Sequence, residues 1–151
     1  DACLVGSEMC IRDSYMGEES IEPFISNASK GAYVLCRTSN KSSTFIQEEI
    51  YSKVISLCEA LNNQQNIGLV VGATNDDALM QVRNSTDLPF LIPGIGAQGG
   101  DLQSVLKINE NSMDTTLINV SRGIIFSGNK DHDSIRNSAK QYLNQLRGLN
   151  G

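Results

Sequence analysis

The sequence has few of the features that mark nucleic-acid-binding or membrane proteins. It carries 12 basic and 17 acidic residues, a formal net charge of -5, and no run of lysines or arginines. A basic stripe is the usual electrostatic footprint of a nucleic-acid-binding protein, so we expect no nucleic-acid partner. No apolar stretch approaches the roughly 20 residues of a membrane-spanning helix, and no segment resembles a signal peptide. We therefore expect a cytoplasmic protein with no membrane partner.

Histidine and cysteine are also scarce, which argues against a metal site. The four cysteines form no CxxC pair, and they are too sparse for a secreted disulfide scaffold. We interpret Cys36 and Cys58 as small core residues. The single histidine, His132, lies between two aspartates, a pattern typical of a solvated helix start. No nucleophile stands beside it, so we expect no catalytic histidine and no bound metal.

What the sequence does contain is a repeated α/β pattern. From Gly31 onward, a short apolar run is followed by a turn and then by a segment with helical periodicity. Four such runs occur, at residues 32–36, 67–71, 90–92 and 116–120. Each run is apolar on both faces, which is typical of parallel strands covered on both sides. The pattern predicts a single α/β domain with four parallel strands.

The first helix is the clearest, because its apolar residues fall on one stripe. They are spaced by four, four, three and four residues: Ile46, Ile50, Val54, Leu57 and Leu61. Thr44 with Gln47 predicts a capping box at the start of this helix. A stripe of this kind is nearly always core packing, so we assign the helix no chemistry.

Two further helices follow from their caps and their spacing. One is predicted from about Asp76 to Arg83, with Thr74 or Asn75 as N-cap. The last helix has one apolar face and is expected to stop at Gly148. The residues of that face are Ile135, Ala139, Tyr142 and Leu146.

Four consecutive βα units are compatible with two architectures. One is half of a (β/α)8 barrel, and the other is part of an open, doubly wound sheet. Periodicity leaves both open. A half-barrel would have two unpaired strand edges, so a chain of that kind would be incomplete or would pair with something else.

In either architecture, functional residues gather where the strands end. The third strand exit, the glycine loop Pro93–Gly100, has glycine or proline at five of its eight positions. Its backbone can approach a ligand closely and present N–H groups, which suits an anion. The next exit supplies Arg122, which can make forked hydrogen bonds to phosphate, followed by Gly123 and a run able to start a short helix. The sequence therefore predicts a phosphate site between these two exits.

Two other interpretations of the glycine loop stay open at this point. Glycine clusters also form plain tight turns, and a single arginine at a strand end is often a surface ion pair. Gly94, Gly96 and Gly99 also satisfy GxGxxG, a weak match to the dinucleotide fingerprint. That motif expects an acidic residue on the next strand to hold the ribose, whereas this strand ends in Ser121 and Arg122. Arg122 would then favour a phosphorylated dinucleotide such as NADP.

Taken together, the strand exits resemble the orotidine 5'-phosphate decarboxylase family, in particular its longer bacterial branch. The resemblance rests on several segments found in order along the chain. PGIGAQGGD is the most specific of them, and the full set is YMG (15–17), SIEPF (20–24), VLCRTSN (34–40), GLVVGAT (68–74), PFLIPGIGAQGGDL (89–102) and SRGIIF (121–126).

The resemblance implies the C-terminal half of a cofactor-free (β/α)8 barrel that converts orotidine 5'-monophosphate to uridine 5'-monophosphate and carbon dioxide, and a homodimer. It implies that Ser39 hydrogen-bonds the pyrimidine and that Pro93 lines the base pocket. Gln98 would reach the phosphate, and Arg122 would pair with it beside backbone N–H groups near Gly123. Phosphate binding remote from the reacting carbon supplies energy that can be used there.

One feature of the family is missing from the printed sequence. The DxKxxD motif, whose lysine protonates the developing carbanion, is expected before Tyr15 and does not occur. Residues 1–14 (DACLVGSEMCIRDS) resemble a translated sequencing adapter, so we interpret them as non-native and residues 15–151 as the partial decarboxylase domain. We expect no catalytic residue in the chain and no decarboxylation by it alone.

The sequence makes two structural predictions and leaves two other functions open. Residues 1–14 are predicted to form no strand beside residues 32–36. The four strands are predicted to lie parallel in chain order, with Ser39, Gln98 and Arg122 facing a shared cavity. The alternative functions are another phosphate-binding barrel enzyme, such as a sugar-phosphate lyase or epimerase, and a dinucleotide-binding module.

Overall fold

The computed structural model describes residues 10–148 and contains five strands and six α-helices. The strands are β1 (Cys10–Arg12), β2 (Ala32–Arg37), β3 (Ile67–Val71), β4 (Phe90–Ile92) and β5 (Thr116–Ile118). The helices are α1 (Glu22–Ile25), α2 (Thr44–Leu61), α3 (Asp76–Arg83), α4 (Leu102–Ile108), α5 (Arg122–Ile125) and α6 (His132–Arg147). None of the helices in this described part is long and apolar enough to cross a membrane.

The five strands form one parallel sheet in the order in which they occur along the chain. Strands β2 to β5 are the four that the sequence predicts, and their parallel order is confirmed. A doubly wound sheet would reverse its strand order partway across, because its crossovers run in both directions from the first strand. The observed order is that of a barrel wall, in which each strand lies beside its predecessor.

Strand β1, which is additional to the four predicted strands, corrects a prediction. Cys10–Arg12 pairs in parallel register with β2, Cys10 opposite Ala32 and Arg12 opposite Val34. The prediction that residues 1–14 form no strand is therefore wrong for these three residues, while Leu4 to Met9 lies outside the described part. Pairing uses backbone groups, so an unusual sequence does not prevent it. The non-native origin of residues 1–14 stays a prediction.

The hydrophobic core lies between one face of the sheet and the helices. Alternate residues of the strands point into it, and α1, α2, α3, α4 and α6 all contribute to it. The strand residues of this face are Ala32, Val34, Cys36, Ile67, Leu69, Val71, Phe90 and Ile92. Cys36 and Cys58 are both buried here, as predicted. Burial raises the pKa of each thiol to about 12, which leaves both as neutral, inert core residues at neutral pH.

The opposite face of the sheet is open at its edges. By the alternation of the strands, it carries Ile11, Tyr33 and Leu117. Ile11 on β1 is 49% exposed and Leu117 on β5 is 48% exposed. Tyr33 lies over Gly68 on the neighbouring strand, where a β-carbon would come within 2.4 Å of its ring. We call this surface the open face.

The helix boundaries test the predicted caps. Asn75 caps α3 by accepting a hydrogen bond from the Ala78 N–H at 3.0 Å, and Gly148 caps the C-terminus of α6, as predicted. His132 is the exposed first residue of α6, also as predicted. The capping box at Thr44 is wrong, because no side chain caps α2 and Gln47 is bonded elsewhere.

Candidate functional site

The exit of β2 is held on helix α2 by polar contacts from two consecutive residues, Arg37 and Thr38. The register of β2 shifts between Leu35 and Arg37, and this irregularity turns Arg37 toward the helix side. There its guanidinium donates to a Glu48 carboxylate oxygen at 2.8 Å, and the residue is only 3% exposed. One residue further on, the Thr38 N–H donates to Gln47 Oε1 at 2.8 Å. These anchors fix the backbone that carries Ser39.

The exit of β3 holds Ser39 from the other side. The Thr74 hydroxyl donates to the Ser39 carbonyl oxygen at 2.7 Å. Gly72 approaches the Ser39 backbone so closely that a β-carbon would lie 2.6 Å from the Ser39 nitrogen. Only glycine fits that contact without displacing the backbone, so Ser39 is held between two neighbouring strand exits.

Ser39 reaches across to the glycine loop. Its hydroxyl donates to Gln98 Oε1 at 2.7 Å, although the two residues are 59 positions apart in the sequence. Gly94, with φ of 98°, gives the loop room to bring Gln98 there, since a β-carbon at Gly94 would lie 2.9 Å from the same oxygen. With that oxygen accepting from Ser39, the Gln98 amide nitrogen keeps its two N–H donors for an anion.

The glycine loop is closed by its own backbone. The Gly96 N–H donates to the Gly100 carbonyl at 2.9 Å, and the Gly100 N–H donates to the Gly94 carbonyl at 3.0 Å. Gly96 and Gly99 have φ of 71° and 97°, values that favour glycine. Asp101 follows the loop and is the N-cap of α4. Its carboxylate accepts a hydrogen bond from the Ser104 N–H, which lowers the pKa of the carboxyl group. The glycine loop is therefore a tight turn, and it also brings Gln98 within hydrogen-bonding distance of Ser39.

The remaining predicted residues lie at the same end of the sheet, where the strands end; we call this end the rim. Pro93 is half-buried directly after β4, and its carbonyl accepts from the Ala73 N–H at 2.9 Å. Arg122 is the exposed first residue of α5, followed by Gly123. Among residues 10–148, no side chain forms a hydrogen bond or ion pair with the Arg122 guanidinium. The structure brings Ser39 and Gln98 into contact, and the cavity predicted to be shared by Ser39, Gln98 and Arg122 stays a prediction.

A cavity of about 430 Å³ lies behind the rim, between the glycine loop and α6. Gly96, Asp101, Gly123 and Tyr142 line it, with several polar residues of α6. In the described part of the chain, no group of three or more His, Cys, Asp or Glu side chains could hold a metal ion.

The sequence indicates another role for three residues that support the strand exits. Gln47 matches a capping box, Thr74 is a candidate helix cap, and Tyr142 belongs to an apolar stripe. Each of these patterns involves only neighbours in the sequence, whereas the observed partners lie elsewhere in the chain. A tyrosine on an apolar stripe is itself a weak signal, since its hydroxyl needs a polar or open surrounding.

The fold and the strand exits define a class: one half of a (β/α)8 barrel, with a glycine-rich loop after β4 and an arginine after β5. The sequence profile of the Orotidine 5'-phosphate decarboxylase / HUMPS family matches residues 4–135. The chain belongs to this family.

Individual relatives agree with this assignment. The orotidine 5'-phosphate decarboxylase of Natronomonas pharaonis is 42% identical, covering 82% of this chain and 48% of the relative. That of Dehalococcoides mccartyi is 40% identical, covering 91% of this chain and 56% of the relative. The structure of the Leishmania donovani OMP decarboxylase matches with a TM-score of 0.75 and 34% identity, covering 92% of this chain and 56% of that one.

The lengths show how much of the family's fold is present. The chain spans about half the length of the curated relatives it matches. Five strands in barrel order agree with this share of an eight-stranded barrel. The predicted fold class and the family are thus confirmed, while the placement in the longer bacterial branch stays a prediction.

Proposed function

We propose that this chain supplies the nucleotide-binding side of an orotidine 5'-phosphate decarboxylase active site. The complete enzyme converts orotidine 5'-monophosphate to uridine 5'-monophosphate and carbon dioxide, without a cofactor. The hydrogen bond between Ser39 and Gln98 carries the proposal, because it joins the residue proposed to bind the base to the residue proposed to bind the phosphate. A pyrimidine nucleotide has a polar ring for the first residue and an anionic phosphate for the second.

The roles of the individual residues follow from their donors and acceptors. The Ser39 hydroxyl can hydrogen-bond the pyrimidine while staying bonded to Gln98, since a hydroxyl both donates and accepts. Pro93 offers an apolar wall to the ring. The Gln98 amide N–H groups, the Arg122 guanidinium and the backbone N–H of Gly123 are donors for the phosphate oxygens.

The chain alone is proposed to bind nucleotide without decarboxylating it. A lysine that protonates the carbanion is needed for the reaction, and the DxKxxD motif that would carry it does not occur in the printed sequence. Adding orotidine 5'-monophosphate to the purified chain should release no carbon dioxide above the uncatalysed background. Measurable turnover that follows the chain through purification would refute this part of the proposal.

The complete protein is proposed to be a cytoplasmic homodimer. Several large apolar side chains near the exits of β1 and β2 support a subunit contact, because such side chains are costly to leave in water. They are Tyr15, Met16, Phe45 and Ile46, each at least 50% exposed. Sedimentation of the complete protein as a monomer at micromolar concentration would contradict it.

The binding proposal can be tested on the chain itself. Uridine 5'-monophosphate, uridine and ribose 5-phosphate are titrated into the ¹⁵N-labelled chain, and the Kd of each is obtained from amide shifts. We expect the monophosphate to bind more tightly than both of its halves, with the Ser39, Gln98 and Gly123 amides shifting. Equal affinity for uridine would refute a phosphate site, and stronger binding of ribose 5-phosphate would favour a sugar-phosphate enzyme. Stronger binding of NADP would favour a dinucleotide module.

Arg122→Ala provides the matched variant. Hydrogen bonds to charged groups are worth about 1.5 to 3 kcal/mol, so affinity for the monophosphate should fall roughly tenfold to a hundredfold. Lysine at this position should restore it only in part, because it keeps the charge without the planar fork. Uridine binding should change little. The exposed Arg136 of α6 serves as control, and its replacement by alanine should leave both affinities unchanged.

A further inference from the structure

The hydroxyl of Tyr142 lies between the two strand exits that form the proposed phosphate site. A β-carbon built on Gly96, in the glycine loop, would come within 2.6 Å of the Tyr142 Oη. A β-carbon built on Gly123, beside Arg122, would also come within 2.6 Å of this atom. One side-chain oxygen therefore occupies the space that a side chain at either glycine would fill.

Helix α6 is tied to the same place by a second contact. The Ser138 hydroxyl donates to the Gly123 carbonyl oxygen at 2.9 Å. Ser138 precedes Tyr142 by four residues, so both side chains leave the helix on one face. Tyr142 is half-buried and packs against the core below the rim. Its ring is thus held by the body of the protein while its hydroxyl contacts both exits.

We propose that Tyr142 is a positioning residue that sets the distance between the glycine loop and Arg122–Gly123. The inference rests on the proposed function and deepens it, since an anion held by Gln98 and Arg122 needs both donors at a fixed separation. Positioned groups bind well only when their supports hold them within a fraction of an ångström. Glycine at positions 96 and 123 leaves free the space that the tyrosine hydroxyl occupies.

The first test replaces the Tyr142 side chain. Uridine 5'-monophosphate and uridine are titrated into the chain carrying Tyr142→Leu, with Leu143→Ala as control, since Leu143 is the next residue of the helix and is 42% exposed. We expect the affinity for the monophosphate to fall about tenfold, the size of a lost contact network, while uridine binding changes by less than about twofold. The ratio of the two affinities separates positioning from a general loss of fold, which would weaken both ligands together.

The second test uses a compensating pair. Gly123→Ala places a methyl group against the Tyr142 oxygen and should weaken monophosphate binding. Tyr142→Phe removes that oxygen, after which the nearest atoms to the new methyl are ring and Val120 carbons at 3.4 Å. The double variant should therefore recover to within about threefold of Tyr142→Phe alone, because the two residues are directly coupled. Phenylalanine retains the ring, so this pair stays informative even if Tyr142→Leu fails to fold.

The outcomes separate the two proposals. If the unmodified chain binds the monophosphate no better than uridine, the proposed function fails, and the purpose of the spacing fails with it. If the unmodified chain discriminates and Tyr142→Leu keeps the full ratio, only the positioning role is overturned. Loss of binding by Gly123→Ala that Tyr142→Phe does not relieve would also overturn it.

Discussion

At the scale of single residues, the site depends on glycines, because the lack of a side chain lets other groups come close. Gly72, directly after β3, lets its backbone lie against Ser39, since a β-carbon there would be 2.6 Å from the Ser39 nitrogen. No rotamer change can relieve this contact, because the obstructing atoms belong to the backbone. The position of Ser39 is thus determined as much by its neighbour's missing methyl group as by its own hydrogen bonds.

Gly72→Ala should destabilise the chain and move Ser39. Insertion of a methyl group into a packed site costs about 1 to 3 kcal/mol, because the backbone must shift. Urea unfolding measures the loss, and the Ser39 amide shift reports the displacement. Gly99→Ala is the control: its φ of 97° makes alanine strained, but apart from its chain neighbours no described atom lies within 4 Å of the added carbon. It should lose stability and leave the Ser39 signal in place, so an unmoved Ser39 amide in Gly72→Ala would contradict the argument.

The buried thiols should respond to alkaline pH. Their folded pKa of about 12 lies above the ordinary value of 9.0, so the folded state keeps its protons where the unfolded state loses them. This contribution to stability is present below pH 9 and is lost as the pH rises from about 9 toward 12. The urea midpoint should therefore fall across this range, and less so in a Cys36→Ala/Cys58→Ala variant. An identical fall in that variant would assign the effect to other groups.

Alkylation at pH 8 gives an independent measurement. A shift of the thiol pKa from 9.0 to about 12 lowers the thiolate fraction about a thousandfold, and burial excludes the reagent as well. Cys10, half-buried at the sheet edge, should be modified by iodoacetamide long before Cys36 or Cys58 in a mass-spectrometric time course. Equal rates in the folded chain would show that the core opens readily.

At the scale of elements, β4 and α3 are joined by a half-buried cation, Arg83, at the end opposite the site. The Arg83 guanidinium stacks on the Phe90 ring at 3.4 Å, and its Nε donates to Asn109 Oδ1 at 3.0 Å. Its NH1 donates to the Leu88 carbonyl at 3.2 Å, and Asn109 is almost fully buried. Desolvation lowers the pKa of Arg83, but the group stays charged at any physiological pH. This end of a barrel serves stability rather than chemistry.

Arg83→Met should lower stability without touching nucleotide binding. Methionine keeps much of the aliphatic length but leaves the buried Asn109 carbonyl without its donor, which costs about 2 to 3 kcal/mol. Urea unfolding gives the loss, and Arg136→Met on the exposed side of α6 should change it by less than about 0.5 kcal/mol. A stability equal to that of the control would mean that water replaces the guanidinium at no cost.

The sequence predicts elements better than it predicts their mutual contacts. The limits of β3, β4 and α3 agree with the pattern because strand and helix periods are local properties. The partner of Gln47 cannot be predicted from its sequence neighbours. Its side-chain amide could serve a capping box or bond to Thr38, and the path of the chain after β2 brings Thr38 to it. Ser39 and Gln98 were placed together through family resemblance, since no spacing rule connects residues 59 positions apart. The prediction of no strand in residues 1–14 rests on their unusual sequence, which does not decide whether three residues pair through their backbone.

At the scale of the whole molecule, the open face and the two sheet edges are the surfaces that the rest of a barrel would cover. Ile11 lies near one edge and Leu117 near the other, each about half exposed. The outer edges of β1 and β5 have backbone groups that no strand of residues 10–148 pairs with. Such edges attract further strands.

We expect these surfaces to bind the half of a relative's barrel that this chain does not cover. The half of the Natronomonas pharaonis decarboxylase that this chain does not cover is expressed separately and mixed with the chain. Amides of β1 and β5 should become protected from hydrogen exchange, since edge pairing supplies their missing partners. Ile11→Asp and Leu117→Asp should weaken the complex, because each places a charge on the surface to be buried. Unchanged exchange at both edges would show that the surfaces do not recognise that half.

The order of the strands also has a consequence for how the chain acquires its structure. Within residues 10–148, each strand pairs only with the strands before and after it along the chain. The loop that closes for each pairing is therefore a single βα unit, and the entropy cost of closing a loop rises with its length. Pairing can advance one unit at a time, in the direction of synthesis. During translation, β2 and β3 can meet, with α2 packed on them, before the ribosome has made α6.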